Sequence, residues 1–246
     1  MEFLKLKDIS ERYIELINPT STEKVLKIGQ MACMQPGWRV IDFGSGFGEA
    51  LMHWGEQFGI GGVGIEVREY ACERARQKLS EHGLSDRIEI VQSSATDYHF
   101  ESHSFDAAVC MGASFLWGGF EGTIRAMREA IKPSGKLIIG EPYWVTDEIP
   151  PEWAQDQSDV KTELQLLQTA RTEGFDFEYL VRASPDDWDR YEASNWYGLL
   201  SWIDQNPDHP ERQDVIDELH HSQEEYFRFG RKYFGWAIFL LNPIKY

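Results

Sequence analysis

Residues 39–49 read Arg-Val-Ile-Asp-Phe-Gly-Ser-Gly-Phe-Gly-Glu, and the fold is decided there. A short apolar run, Val40-Ile41, ends in an acid, Asp42. Glycines follow at every second position, Gly44, Gly46 and Gly48. From Glu49 the pattern turns helical, with Leu51, Met52, Trp54 and Phe58 as its apolar positions. The order predicted is strand, tight turn, helix. Glycine carries no Cβ, so a ligand can approach the backbone of such a turn. The helix start adds N–H groups that have no partner within the helix. Together they suit a nucleotide.

Which nucleotide depends on spacing. A dinucleotide turn takes Gly-x-Gly-x-x-Gly. Counted from Gly44, its third glycine falls on Glu49; counted from Gly46, Gly48 comes one place early and Ala50 is out of register. The pattern here is Asp-x-Gly-x-Gly-x-Gly. A second apolar run, Gly61 to Ile65, ends in Glu66, 18 residues beyond Gly48. An acid at the tip of the second strand can accept from both hydroxyls of a ribose. Glu66 therefore supports a nucleoside without choosing between cofactor types.

Composition narrows the partners. The 246 residues suffice for one sizeable core and at most two small domains. The N-terminus MEFLKLKDIS lacks an apolar signal core, and no apolar run approaches the roughly 20 residues of a membrane span. A cytoplasmic location and no membrane partner are expected. Cys33, Cys72 and Cys110 form no Cys-x-x-Cys pair and are expected to be buried thiols. The net charge of −17 is uneven: residues 1–144 hold 15 Lys+Arg and 20 Asp+Glu, a net of −5, which leaves 9 and 21, a net of −12, for 145–246. A polyanion is repelled by such a surface, so nucleic acid is not expected as a partner.

The rest of the chain alternates. Helices are expected at 8–18 and 21–34, the second capped by Ser21 or Thr22. Tyr13 and Ile14 read as cover for the sheet edge, or as residues folding over a ligand. After Glu66 the pattern predicts a helix over 70–82, a strand over 88–91, a strand over 104–112, a helix over 120–131 and a strand over 136–140. This alternation predicts a doubly wound parallel sheet. It breaks after Trp144. A helix over 160–172, a sixth strand over 175–181, a helical and aromatic stretch over 186–234 interrupted at Asn206-Pro207-Asp208, and a last strand over 234–241 complete the chain. His220-His221 with Glu224-Glu225 read as a solvated helix face, and no metal site is expected.

With motif I, Glu66, the Phe105-Asp106 strand and the turn Ile131-Lys132-Pro133-Ser134-Gly135-Lys136 all in place, residues 37–144 resemble the shared core of the class I S-adenosylmethionine (SAM)-dependent methyltransferases. The segments GEPYW (140–144), WDRYEASNW (188–196) and FGWAIF (234–239) resemble a bacterial subgroup of them. The resemblance implies a Rossmann-like α/β fold with a seven-stranded sheet, the last strand antiparallel and beside the fifth. It implies one domain: N-terminal helices at 1–36, the SAM-binding core at 37–144, and a substrate-side half at 145–246 with a helical lid at 186–234. It implies SAM as cofactor, with Asp42, Gly44, Ser45, Gly46 and Gly48 around its methionine and ribose, Glu66 on the ribose hydroxyls, and Val67 on adenine. Relatives carry Asp-Ala after the third strand; this chain has Ser94-Ala95, with Asp97 three residues on, so the adenine contact departs from the pattern.

The implied reaction is in-line methyl transfer, and residues at the ends of strands four and five are placed to reach the methyl: Met111, Gly112, Ala113, Glu141, Tyr143 and Trp144. Met111 is grouped with the cofactor set. Glu141 is the candidate base or cation binder, against a salt bridge or cap, and Tyr143 is the second catalytic candidate. Trp144, Arg190, Tyr191 and Trp196 are the candidates for a small-molecule acceptor, the last three on a lid that can equally be an aromatic helix pair packed on the sheet. A SAM-binding sensor and an NAD(P)-dependent oxidoreductase are the competing readings. The acceptor and the oligomeric state are left open.

Overall fold

A computed structural model describes residues 1–155, 157 and 159–245. Its strands are β1 (Arg39–Phe43), β2 (Gly61–Glu66), β3 (Ile88–Gln92), β4 (Phe105–Met111), β5 (Ile131–Trp144), β6 (Lys161–Thr162), β7 (Phe175–Arg182) and β8 (Phe234–Pro243). They join in the order β3-β2-β1-β4-β5-β8-β7. The first five are mutually parallel, and β8 runs antiparallel between β5 and β7. This is the seven-stranded sheet that the resemblance implies, with two-residue β6 added beside Tyr143 and Trp144 of β5.

The helices are α1 (Phe3–Ser10), α2 (Thr22–Met31), α3 (Glu49–Phe58), α4 (Glu69–Glu81), α5 (Phe120–Arg128), α6 (Pro151–Ala154), α7 (Glu163–Thr172), α8 (Pro185–Gln205), α9 (Arg212–Glu225) and α10 (Arg231–Tyr233), with a π-turn at Tyr226–Gly230 between the last two. Among the described residues no helix is long and apolar enough to cross a membrane. Strand side chains alternate between faces. Val40 faces α2, α3 and α4 in one core, while Ile41 and Phe43 face α5 and α7 in another. A third, smaller core lies apart from the sheet, where Ile9 of α1 meets Leu199, Trp202 and Ile203 of α8 and Val215 and Leu219 of α9.

Local chemistry sets the ends of these elements. The Ser21 hydroxyl accepts from Lys24 N at 3.3 Å and caps α2. Ser184 and Asp187 form a reciprocal capping box on α8, with Pro185 at its first position. Several boundaries differ from the sequence reading. The first helix spans 3–10, not 8–18; a 3-10 turn follows at 11–13, and the chain leaves it through extended Ile14, where Arg74 donates to the carbonyls of Arg12 and Ile14. α5 stops at Arg128, because the Glu129 and Ala130 carbonyls accept from His103 and Phe105. β5 consequently begins at Ile131. Cys33 is exposed rather than buried: it follows α2 at φ 60, a terminating conformation that turns it outward, whereas Cys72 and Cys110 are buried.

Candidate functional site

The tips of β1, β2 and β4 open onto a cavity of about 620 Å³. Open α/β sheets place ligands at the carboxyl ends of their strands, and this volume suits a nucleoside with room beyond it. The glycine loop forms its floor. Gly44 and Gly46 have φ of 78° and 54°, and a Cβ on either would stand 2.7 Å from Ala113 or Ile17 respectively. The loop is thus closed to side chains both conformationally and sterically. Gly44 N and Ser45 N donate to Ile65 O, which locks the loop onto β2.

Two carboxylates stand at the strand tips. Glu66 is buried; its Oε2 accepts from Gly46 N at 3.0 Å and its Oε1 from Arg68 N at 2.9 Å. Oε2 keeps a second lone pair, and the second on Oε1 meets only a long 3.4 Å contact from Arg68 Nε, so both oxygens can accept from the hydroxyls of a ribose. Asp42 is 2% exposed, and its Oδ1 has no hydrogen-bond partner among the described residues; burial, with the Glu66 charge second, pushes it up to about 7. The Ser45 hydroxyl is likewise buried without a partner. An orphaned buried carboxylate fits a cationic ligand that supplies donors. The wall as a whole favours a cation: Glu11, Glu15, Asp42, Glu49 and Glu66 outnumber Lys7 and Arg68.

The structure brings nearly all the expected cofactor residues together. Asp42, Gly44, Ser45, Gly46, Glu66, Val67, Ser94, Ala95 and Met111 all face the cavity. Gly48 does not; it caps α3 at φ 72 and packs on Ala75 and Ile90. Val67 is half exposed, an open apolar face for a base, and Ala95 is buried. The Ser94 and Thr96 hydroxyls are 2.8 Å apart, and Asp97 lies off the wall.

The acceptor candidates are not assembled in the same way. Only Tyr191 reaches the cavity. Glu141 lies behind the wall, buried, with Oε2 unpartnered among the described residues; burial pushes its carboxyl up to about 7 against the opposing Ser114 side chain. The Tyr143 ring occupies the space over Gly235. Trp144 stacks on Phe234 at 4.8 Å and meets Trp153 edge-on at 5.1 Å. Arg190 pairs with Asp187 and donates to Thr20 O. Trp196 packs on Tyr226 and Phe227. In their place the wall is made by Phe3, Leu4 and Lys7 of α1, by segment 15–18, and by Phe115 and Leu116 on the 3-10 turn Ser114–Trp117. The sequence carried one trace of this, the suggestion that Tyr13 and Ile14 fold over a ligand; the covering residues are their neighbours.

Comparison with known proteins agrees with this geometry. Residues 40–135 match the family model of a methyltransferase domain. The Escherichia coli protein YjhP is 34% identical over 98% of this chain and 99% of its own, and its crystal structure superposes with a TM-score of 0.92. A SAM-dependent methyltransferase from Thiobacillus denitrificans, solved in complex with S-adenosyl-L-homocysteine, is 31% identical with a TM-score of 0.91, over 99% of this chain and 100% of that one. A sterol 24-C-methyltransferase of Gibberella zeae is 28% identical over 133 residues, 54% of this chain, and the chain spans about a third (34%) of that enzyme. A homocysteine-bearing nucleoside in the T. denitrificans enzyme selects SAM over a dinucleotide, as the glycine spacing does. The chain belongs to the SAM-dependent methyltransferases.

Proposed function

We propose that this enzyme methylates a small, largely apolar organic molecule bound between the strand tips and the α1–α8 face of the cavity. The observation that carries this reading is the wall opposite the glycine loop. Phe3 and Phe115 are 67% and 71% exposed, and both face the cavity together with Leu4 and Leu116, so that four large apolar side chains line one wall. A net acidic wall on an acidic chain disfavours polyanions.

In this reading Glu66 accepts from the ribose hydroxyls, Val67 and Ala95 pack on the base, and Ser94 meets its edge. Asp42, Gly44, Ser45 and Gly46 take the methionine part, and Met111 lies toward the reacting carbon. When bound, SAM supplies a methyl on a cationic sulfur whose departure as a neutral thioether needs no acid. The chain's task is therefore alignment and exclusion of water, worth roughly 7–11 kcal/mol when complete. Glu141 serves as a positioning residue: through the Ser114 hydroxyl it steadies the turn that presents Phe115 and Leu116. Trp144 packs with Phe234 and Trp153, Trp196 with Tyr226 and Phe227, and Arg190 ties α8 to Thr20.

The test follows the label. SAM with an isotopic methyl, incubated with the enzyme and a cell extract, is expected to label the low-mass organic-soluble fraction. Label confined to protein or nucleic acid overturns the small-molecule reading. Glu141→Gln is expected to keep S-adenosylhomocysteine affinity and to lower turnover; unchanged turnover removes its positioning role.

A further inference from the structure

The cavity lies between two bodies with separate cores, and one arginine spans them. On one side is the sheet. On the other is a cap made of α1, α8 and α9 around Ile9, Leu199, Trp202, Val215 and Leu219. α1 is fastened to α9 by the N-terminal ammonium on Asp214 and by Lys5 on Glu211. Phe3, Leu4, Glu11 and Tyr191 are the faces that α1, the turn after it and α8 turn toward the cavity.

Arg68 lies two residues past the end of β2, and its side chain is 9% exposed. Its N and Nε donate to Glu66 Oε1 at 2.9 and 3.4 Å. Its Nη1 donates to Glu11 Oε2 at 2.7 Å and to Asp8 Oδ1 at 3.2 Å. One guanidinium thus holds the carboxylate at the β2 tip and two carboxylates on or beside α1. Burial works against its charge, but Glu11 and Glu66 more than offset that, and its affinity for the proton rises. Two neighbouring contacts tie the same arm to the glycine loop. Arg74 of α4 donates to Arg12 O and Ile14 O and lies 4.0 Å over the ring of Phe47. Ile17 covers Gly46.

We propose that Arg68 is a positioning residue that couples cofactor binding at Glu66 to the seating of the N-terminal helix, so that the acceptor side of the cavity is completed only once the cofactor is in place. The proposal rests on the assignment of Glu66 to the ribose. Three carboxylates share one guanidinium here, with Lys7 adding a weaker attraction on Glu11, which leaves the negative charge of buried Glu11 and Glu66 only partly compensated. Hydroxyl donors arriving at Glu66 relieve that excess. The 3.4 Å contact from Nε is the longest of the four and the first to yield, and the guanidinium then turns wholly to Glu11 and Asp8. The consequence is an order: cofactor first, acceptor second.

Amide hydrogen exchange on the full chain, with and without saturating S-adenosylhomocysteine, tests this. In the wild type the ligand is expected to slow exchange at 44–48 and also at 3–13, the latter by at least about fivefold, the low end of coupling between sites. Arg68→Gln is expected to keep the ligand-induced slowing at 44–48 and lose it at 3–13. If that variant does not fold, Glu11→Gln cuts the same link from the cap side and is expected to show the same loss. The proposal is overturned if exchange at 3–13 ignores the ligand in the wild type, or still responds to it in the folded variant. Absence of slowing at 44–48 in the wild type would instead overturn the cofactor assignment beneath it.

Discussion

At the strand tips, Asp42, Gly44, Ser45 and Gly46 come from one unbroken run, and Glu66 follows on the adjacent strand. Across the cavity, Phe3, Phe115 and Tyr191 come from three elements, each more than 70 residues from the next. The first side is made by backbone: positive φ at two glycines, two N–H groups on Ile65 O, one on Glu66. The second is made by side chains of α1, α8 and the Ser114–Trp117 turn, which tertiary packing brings together. A backbone site cannot drift without losing the turn, whereas a side-chain wall can be recut for another acceptor. The comparison predicts that damage on the first side appears as lost cofactor affinity, and damage on the second as altered turnover.

The largest effect is expected from Glu66→Ala. Hydrogen bonds to a charged group are worth about 1.5–3 kcal/mol, so losing both ribose contacts should weaken S-adenosylhomocysteine binding roughly 100-fold or more by calorimetry. Next comes pH. Asp42, held up to about 7, must ionise to meet a cation, so SAM affinity is expected to climb up to about tenfold per unit as pH rises toward 7 and to level off above it. A flat profile from pH 5.5 to 8 would separate Asp42 from the methionine end.

On the other side, Phe115→Ala should leave S-adenosylhomocysteine affinity within a few-fold and change turnover about tenfold, an aromatic side chain being worth several kcal/mol at most when it packs on a ligand. Equal losses in both measurements would erase the contrast between the two sides. A fourth effect concerns stability. The Glu141 carboxyl is raised from 4.5 to about 7, so its contribution is present below pH 4.5 and is lost as pH rises through 7. Glu141→Gln stays neutral and should flatten the melting temperature between pH 5 and 8, with a gain on the order of 1–3 kcal/mol at pH 8. The smallest change is Asp187→Asn. Asp187 is held well below the usual carboxylate range, where burial is outweighed by Lys24, Ser184 and Arg190; losing that cap contact should cost about 1 kcal/mol in a melt.

What the sequence made legible follows the same division. Residues 39–66 carried period, punctuation and spacing together, so the strand, the glycine turn, the helix after it and an acid at the tip of the next strand could be read before any coordinates. The last strand was legible as well, because Phe234 to Leu241 is apolar on both faces and only a central position buries both. The acceptor wall was not. Its place at the end of the fifth strand pointed to Trp144 and the aromatic 186–234 stretch pointed to Trp196, but each packs on a neighbouring aromatic instead, Trp144 on Phe234 and Trp196 on Phe227. Phe3 and Leu4 look from sequence like an ordinary amphipathic start, and only the cap's separate core turns them to the cavity. Ser114-Phe115-Leu116-Trp117 has no period to read, since a four-residue 3-10 turn carries none.

A crystal structure with S-adenosylhomocysteine is the most direct measurement. The account predicts both ribose hydroxyls within hydrogen-bond distance of Glu66 and the sulfur facing the space bounded by Phe3, Phe115 and Leu116. A ribose away from Glu66, or a sulfur directed at Tyr143 and Trp144, would contradict it.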